Sequence, residues 1–163
     1  MNTRRVGRGS NSASLRRYNE LTLLQRLRRV GEASKADLAR SAQLTSTAVG
    51  SIVHSLQDAG LIEASGRREG GTRGQPAGLY RLNPKGAFGI GVRLDRARIE
   101  IVLADLSGRI LASKTHDMLL PHPGRALKIV QRDIGALLKL LSAAERRRLS
   151  GIGLALPYRL GHW

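Results

Sequence analysis

The sequence predicts an α+β protein in two parts, helices first and strands after. From Tyr18 to Ala59 apolar side chains recur at helical spacing, and from Phe88 onward they gather in short, strand-like runs. Between the two, Asn83-Pro84-Lys85-Gly86 punctuates the chain, so the parts are expected at 15–84 and 87–163.

Residues 1–14 are Gly, Ser, Asn and Arg with little to bury, and read as a disordered basic tail. Leu21, Leu23, Leu24, Leu27 and Val30 then mark a first helix over Tyr18 to Val30, which Gly31 ends. Ser34-Lys35-Ala36-Asp37 is a capping box: the serine hydroxyl can accept a backbone N–H while Asp37 reaches back. It opens a second helix, Lys35 to about Ala42. Thr45 can cap a third, running to Ala59 with Val49, Ile52, Val53 and Leu56 facing inward and Gly60 as its stop.

Two helices joined by three or four residues have the spacing of a helix-turn-helix. Leu61 to Ser65 and Gly78 to Leu82 follow as a hairpin around a long basic tip, Gly66 to Pro76. Three helices and a hairpin make a winged helix-turn-helix, whose wing arginines Arg67, Arg68 and Arg73 would face a DNA backbone or minor groove.

The second part reads as strands Phe88 to Leu94, Ile99 to Ala104 and Arg109 to His116, a helix Arg125 to Leu141, and a strand Gly151 to Leu156. The helix carries Leu127, Val130, Ile134, Leu137, Leu138 and Leu141 on one stripe. One helix cannot cover both faces of a sheet, so this is the beginning of an α/β lobe and not a whole one.

Composition narrows the function. The 163 residues carry a net charge of +16, a sign that favours polyanionic partners, with 14 basic against 6 acidic side chains in each of 1–81 and 82–163. There is no cysteine, and His54, His116, His122 and His162 match no metal-ligand spacing, so neither metal nor cofactor is expected. No apolar run approaches the ~18 residues of a membrane span, and the Arg-rich N-terminus lacks the apolar stretch of a secretory signal. The expectation is a cytoplasmic protein without a membrane partner.

On the third helix Ser46, Thr47, Gly50, Ser51 and His54 point outward, small or polar where the inner face is apolar. Hydroxyls at the start of such a helix can bond base edges or phosphates. Gly50 costs on the order of 1 kcal/mol against alanine in a helix, which suggests that something comes near it, a sugar-phosphate strand or another helix. With Lys35 and Thr45 at the helix starts and the three wing arginines, these residues form the expected contact surface for double-stranded DNA.

The segments "RRYNELTLLQRLRRVGEASKADLARSAQLTSTAVGSIVHSLQDAGLIEASG", "GTRGQPAGLYRLNPKGAFGIGV" and "GIGLALP" together resemble the ROK family of transcriptional regulators, over about residues 15 to 157. The resemblance implies a winged helix-turn-helix followed by an actin-like (ribonuclease H-like) lobe, and a homodimeric repressor of carbohydrate-utilisation genes. It puts Ser46, Thr47, Gly50 and Ser51 at recognition-helix positions. Ser51 stands where family members often carry arginine, so the operator preference is not carried over.

Kinase members of that family bind ATP phosphates with a D-x-G-G-T loop after the first strand. Aligned on Ile90-Gly91-Val92, those places hold Arg93, Leu94, Asp95, Arg96 and Ala97. Both glycines are gone, and Asp95 would repel phosphate. The family's catalytic aspartate, sugar contacts and zinc cluster lie beyond Trp163, so the chain is expected to be truncated within the lobe, to lack most of its sugar sensor and to answer a sugar effector only in a full-length form. Exposed apolar surface and an unpaired strand edge should result. The alternatives are a non-specific basic DNA-binding protein and a sugar-kinase fragment, the latter without its phosphate loop or base. With one Phe, three Tyr and one Trp, the chain lacks the stacking aromatics of an RNA reader.

Overall fold

A computed structural model describes residues 9–68 and 77–157. The chain is a mixture of helix and sheet that divides into two compact units, Met1–Leu82 and Asn83–Trp163.

The first unit begins with α1, Gly9–Val30. It starts before the expected Tyr18, so residues 9–14 extend the helix where an unstructured tail was expected. A helix already nucleated by buried Leu23 and Leu27 propagates through Ser, Ala and Arg at little cost per residue, a cooperative effect that burial patterns do not reveal. Gly31 terminates it with φ +80°, its N–H donating to the Leu27 carbonyl at 2.9 Å. Next comes β1, Glu32–Ser34, which the sequence did not suggest because three residues are too few to show an alternation.

Helices α2, Lys35–Ala42, and α3, Ser46–Asp58, follow. Strands β2, Ile62–Arg68, and β3, Ala77–Leu82, then form an antiparallel pair, and β1 joins the other edge of β3, giving the order β1-β3-β2. Register shifts between Ala64 and Gly66, where Gly66 sits at φ +142°, and this bulge lets β2 run on to Arg68 instead of ending at Ser65. Leu23, Leu27, Leu38, Val49 and Val53 are fully buried where the three helices meet the sheet, each worth roughly 1.5–3 kcal/mol of apolar burial.

The second unit places β4, Phe88–Asp95, β5, Arg98–Asp105, β6, Ile110–Asp117, and β7, Leu149–Ala155, in the order β6-β5-β4-β7. Strands β4 to β6 are an antiparallel meander, while β7 lies parallel to β4, the return made possible by the crossover through α4, Pro123–Leu138. A one-turn helix α5, Ala143–Arg146, capped by the Ser142–Glu145 box, separates α4 from β7. α4 thus stops three residues short of the expected Leu141, and α5, whose N-cap is Ser142, is a further turn beyond the expected helix.

Phe88, Ile90, Val92 and Leu94 of β4 and Ile99, Ile101 and Leu103 of β5 form one apolar face against Ala126, Leu137 and Leu141. Of the expected stripe, Leu137 and Leu141 are buried and Val130, Ile134 and Leu138 pack against the core, whereas Leu127 is exposed and Ala126 and Asp133 are inside as well. On the sheet's other face Gly91 is glycine for a packing reason, because a Cβ there would lie 2.9 Å from Cγ2 of Val102. Beyond α4, Ile152 and Leu154 of β7 are 57% and 60% exposed, bordering an apolar hollow of about 380 Å³ with Val92, Leu94, Ala126 and Val130.

Asp133 is buried and tied on both sides, by Arg132 Nε at 2.8 Å and His116 Nε2 at 2.5 Å, which fastens α4 to β6. Burial alone would raise its pKa, but these hydrogen bonds and the nearby positive charge hold it below the usual carboxylate range.

Candidate nucleic-acid interface

The geometry of α2 and α3 follows from three local devices. Ser34 accepts the Asp37 amide at 3.2 Å, and the Asp37 carboxylate accepts the Ser34 amide at 3.2 Å and its hydroxyl at 2.7 Å, so α2 starts at Lys35. Gln43 then turns the chain in the left-handed region, φ +55°, letting Leu44 N–H donate to the Ala39 carbonyl at 3.0 Å. Thr45 restarts the helix, its hydroxyl oxygen accepting the Ala48 amide at 3.2 Å.

With that start fixed, α3 buries Val49, Ile52, Val53 and Leu56. Helical periodicity leaves Ser46, Thr47, Ser51 and His54 exposed and Gly50 half-buried among them, so five of the expected contact residues share one outward surface. His54 Nδ1 stands 3.6 Å from the Asp58 carboxylate one turn on, beyond hydrogen-bond range. Thr45 is also exposed, but its hydroxyl oxygen is engaged as a cap.

Lys35 is exposed at the first position of α2, with its ammonium 5.6 Å above the ring of Tyr80 on β3. The sequence did not single out Tyr80, which pairing of β3 with β1 brings beside Lys35. Arg67 is exposed near the end of β2, and Arg68 pairs in register with Ala77. Arg73, expected at the wing tip, lies outside the described residues.

The β4–β5 hairpin tip holds the positions where the family resemblance implies a lost phosphate loop. Arg93 Nη2 donates to the Asp95 carboxylate at 2.9 Å and the Arg96 amide donates to it at 2.8 Å, bonds that hold its pKa below the usual range. The carbonyls of Arg96 and Ala97 accept from Leu120 and Met118. Asp95 thus engages the Arg96 amide at the place where the resemblance has a phosphate-binding loop. Among the described residues no cluster of His, Cys, Asp or Glu could hold a metal, and no helix is long and apolar enough to cross a membrane.

No protein-family model matches this sequence. The uncharacterized protein y4fQ of Sinorhizobium fredii (strain NBRC 101917 / NGR234) is 31% identical over 143 residues, 88% of this chain and 36% of that protein. The DNA-binding transcriptional repressor Mlc of Escherichia coli (strain K12) is 26% identical over 130 residues, 78% of this chain and 31% of that protein. Among solved structures, a ROK family transcriptional regulator described as a homolog of the E. coli MLC protein superposes with a TM-score of 0.61 at 25% identity, over 88% of this chain and 36% of that one. The chain therefore spans about a third of the length of the proteins it matches, and in sequence and fold it is similar to transcriptional regulators.

Proposed function

We propose, from that likeness to ROK-family regulators, that this chain is a sequence-specific DNA-binding transcriptional regulator, a cytoplasmic repressor of carbohydrate-utilisation genes and not an enzyme. In this reading the unit Met1–Leu82 is a winged helix-turn-helix and α3 its recognition helix. The observation that carries it is the two-sidedness of α3: Val49, Ile52, Val53 and Leu56 buried, and Ser46, Thr47 and Ser51 exposed along the opposite side.

The first turn of α3 enters the major groove, where short hydroxyl side chains reach base edges. Lys35 and the wing arginines Arg67, Arg68 and Arg73 lie along phosphates, where each ion pair displaces a counterion and makes binding salt-dependent. Two copies address half-sites about 34 Å apart, one helical turn. In this reading the effector that controls its hold on DNA is a sugar.

The test is selection from a randomised duplex pool, followed by anisotropy titration of the enriched and a scrambled duplex at one salt concentration. A reader of sequence holds its selected duplex at least about a thousandfold tighter. Equal affinity for both would support the competing reading, a basic protein bound through charge alone, to which the +16 charge also lends weight.

A further inference from the structure

Glycine inside a helix usually has one of three causes: a left-handed φ, a neighbour too close for a Cβ, or a C-terminal cap. Gly50 has none of them. It is not among the positive-φ glycines, which among the described residues are Gly31, Gly60, Gly66, Gly108 and Gly151. A Cβ at Gly50 would meet nothing within 4 Å, whereas one at Gly91 would strike Val102. It is the fifth of thirteen residues in α3, far from the helix end. Packing within the unit therefore gives no reason for the missing side chain, and the helix bears the conformational cost of glycine without local return.

One other helical glycine is similarly open, Gly135 of α4. The surroundings differ. Gly135 is exposed beside the longer side chains Gln131 and Arg132, on a helix outside the surface assigned to DNA. Gly50 stands between exposed Thr47, Ser51 and His54, within the surface assigned to the major groove, where Ser46, Thr47 and Ser51 are short.

We infer that Gly50 is a specificity-determining residue, a bare notch in α3 that seats the helix backbone on the groove floor. The inference rests on the DNA-reading function proposed above and adds what is read there. A glycine offers no side-chain donor or acceptor, so the base group that fits is one that projects without hydrogen bonding. In the major groove that group is the 5-methyl of thymine. Gly50 thus reads a T·A pair by shape, between contacts from Thr47 and Ser51.

The experiment uses the full chain, the duplex selected by the wild type, and the variants Gly50→Ala and Gly135→Ala. Both alanines should raise the thermal midpoint, by about 4 °C, since both gain helix propensity. Gly50→Ala should bind the selected duplex at least about tenfold more weakly, and Gly135→Ala should bind it unchanged. Replacing thymines of the duplex one at a time with deoxyuracil should weaken the wild type several-fold at one position and leave Gly50→Ala indifferent there. If the wild type discriminates its duplex while Gly50→Ala binds it equally well, the inference is overturned and the regulatory reading stands. If the wild type binds every duplex alike, the regulatory reading itself has failed.

Discussion

The hydroxyl oxygen of Thr45 accepts the Ala48 amide at 3.2 Å, and this bond sets where α3 starts and holds Ser46 and Thr47 in its first turn. Without the cap that turn loses a partner for one of its open backbone N–H groups and frays, taking Ser46 and Thr47 with it. Thr45→Ala should cost about 1 kcal/mol of stability in urea unfolding and weaken binding to a selected duplex. Thr45→Ser should restore both; if Thr45→Ala binds normally, the cap does not govern the surface.

Ser46 and Thr47 are exposed in the first turn of α3, with no role in the buried core. Ser46→Ala combined with Thr47→Ala should leave the circular dichroism spectrum unchanged while lowering affinity for the selected duplex by at least about tenfold, the scale of one or two hydrogen bonds to base edges. Unchanged affinity in a gel-shift titration would remove this end of the helix from the interface.

For the wing the readout is salt. Replacing Arg67, Arg68 and Arg73 with alanine should flatten the dependence of log affinity on log salt by about one unit for each arginine–phosphate ion pair removed. An identical slope would show that the wing stands clear of DNA.

Gln43 holds a left-handed turn at φ +55°, a conformation that costs a side-chain-bearing residue about 1 kcal/mol. Gln43→Gly should therefore be neutral to stabilising by up to about 1 kcal/mol, read from the urea midpoint. Gln43→Val, whose branched Cβ fits that region poorly, should destabilise.

Asp133 makes the second unit acid-sensitive. Its folded pKa lies below the ordinary aspartate value of about 3.9, so the unfolded chain takes up its proton first as pH falls. The stabilisation is complete above that value and is lost as pH drops through the folded one. Asp133→Asn should cost roughly 1–3 kcal/mol at pH 7, by removing a buried hydrogen-bonded charge, and should shrink the loss of stability below about pH 4. A parallel pH profile for the variant would place the acid sensitivity elsewhere, Asp105 being the next group with the same sign.

Legibility differed by element. The capping box at Ser34 and Asp37, the cap at Thr45 and the inner row Val49, Ile52, Val53 and Leu56 could be read directly, because each depends on residues within four positions of one another. Strand β1 could not, since Glu32 to Ser34 become a strand only by pairing with Leu79 to Arg81 far along the chain. The expected α4 stripe missed at one place and omitted two others, Leu127 being exposed and Ala126 and Asp133 buried. Buried Asp133 looks like a surface residue until His116 is brought to it, and Leu127 looks like core until α4 is seen to leave β7 uncovered.

The sequence by itself determined the starts of α2 and α3, the two-part division of elements and the outward row Ser46, Thr47, Gly50, Ser51 and His54, because short-range hydrogen bonds and a 3.6-residue period fix them. Only the tertiary structure decided that Lys35 lies over Tyr80, that β7 returns parallel to β4 and that Gly50 has no neighbour to explain it. These are contacts, or their absence, between segments distant in sequence, and they exist only once loop closure has brought those segments together.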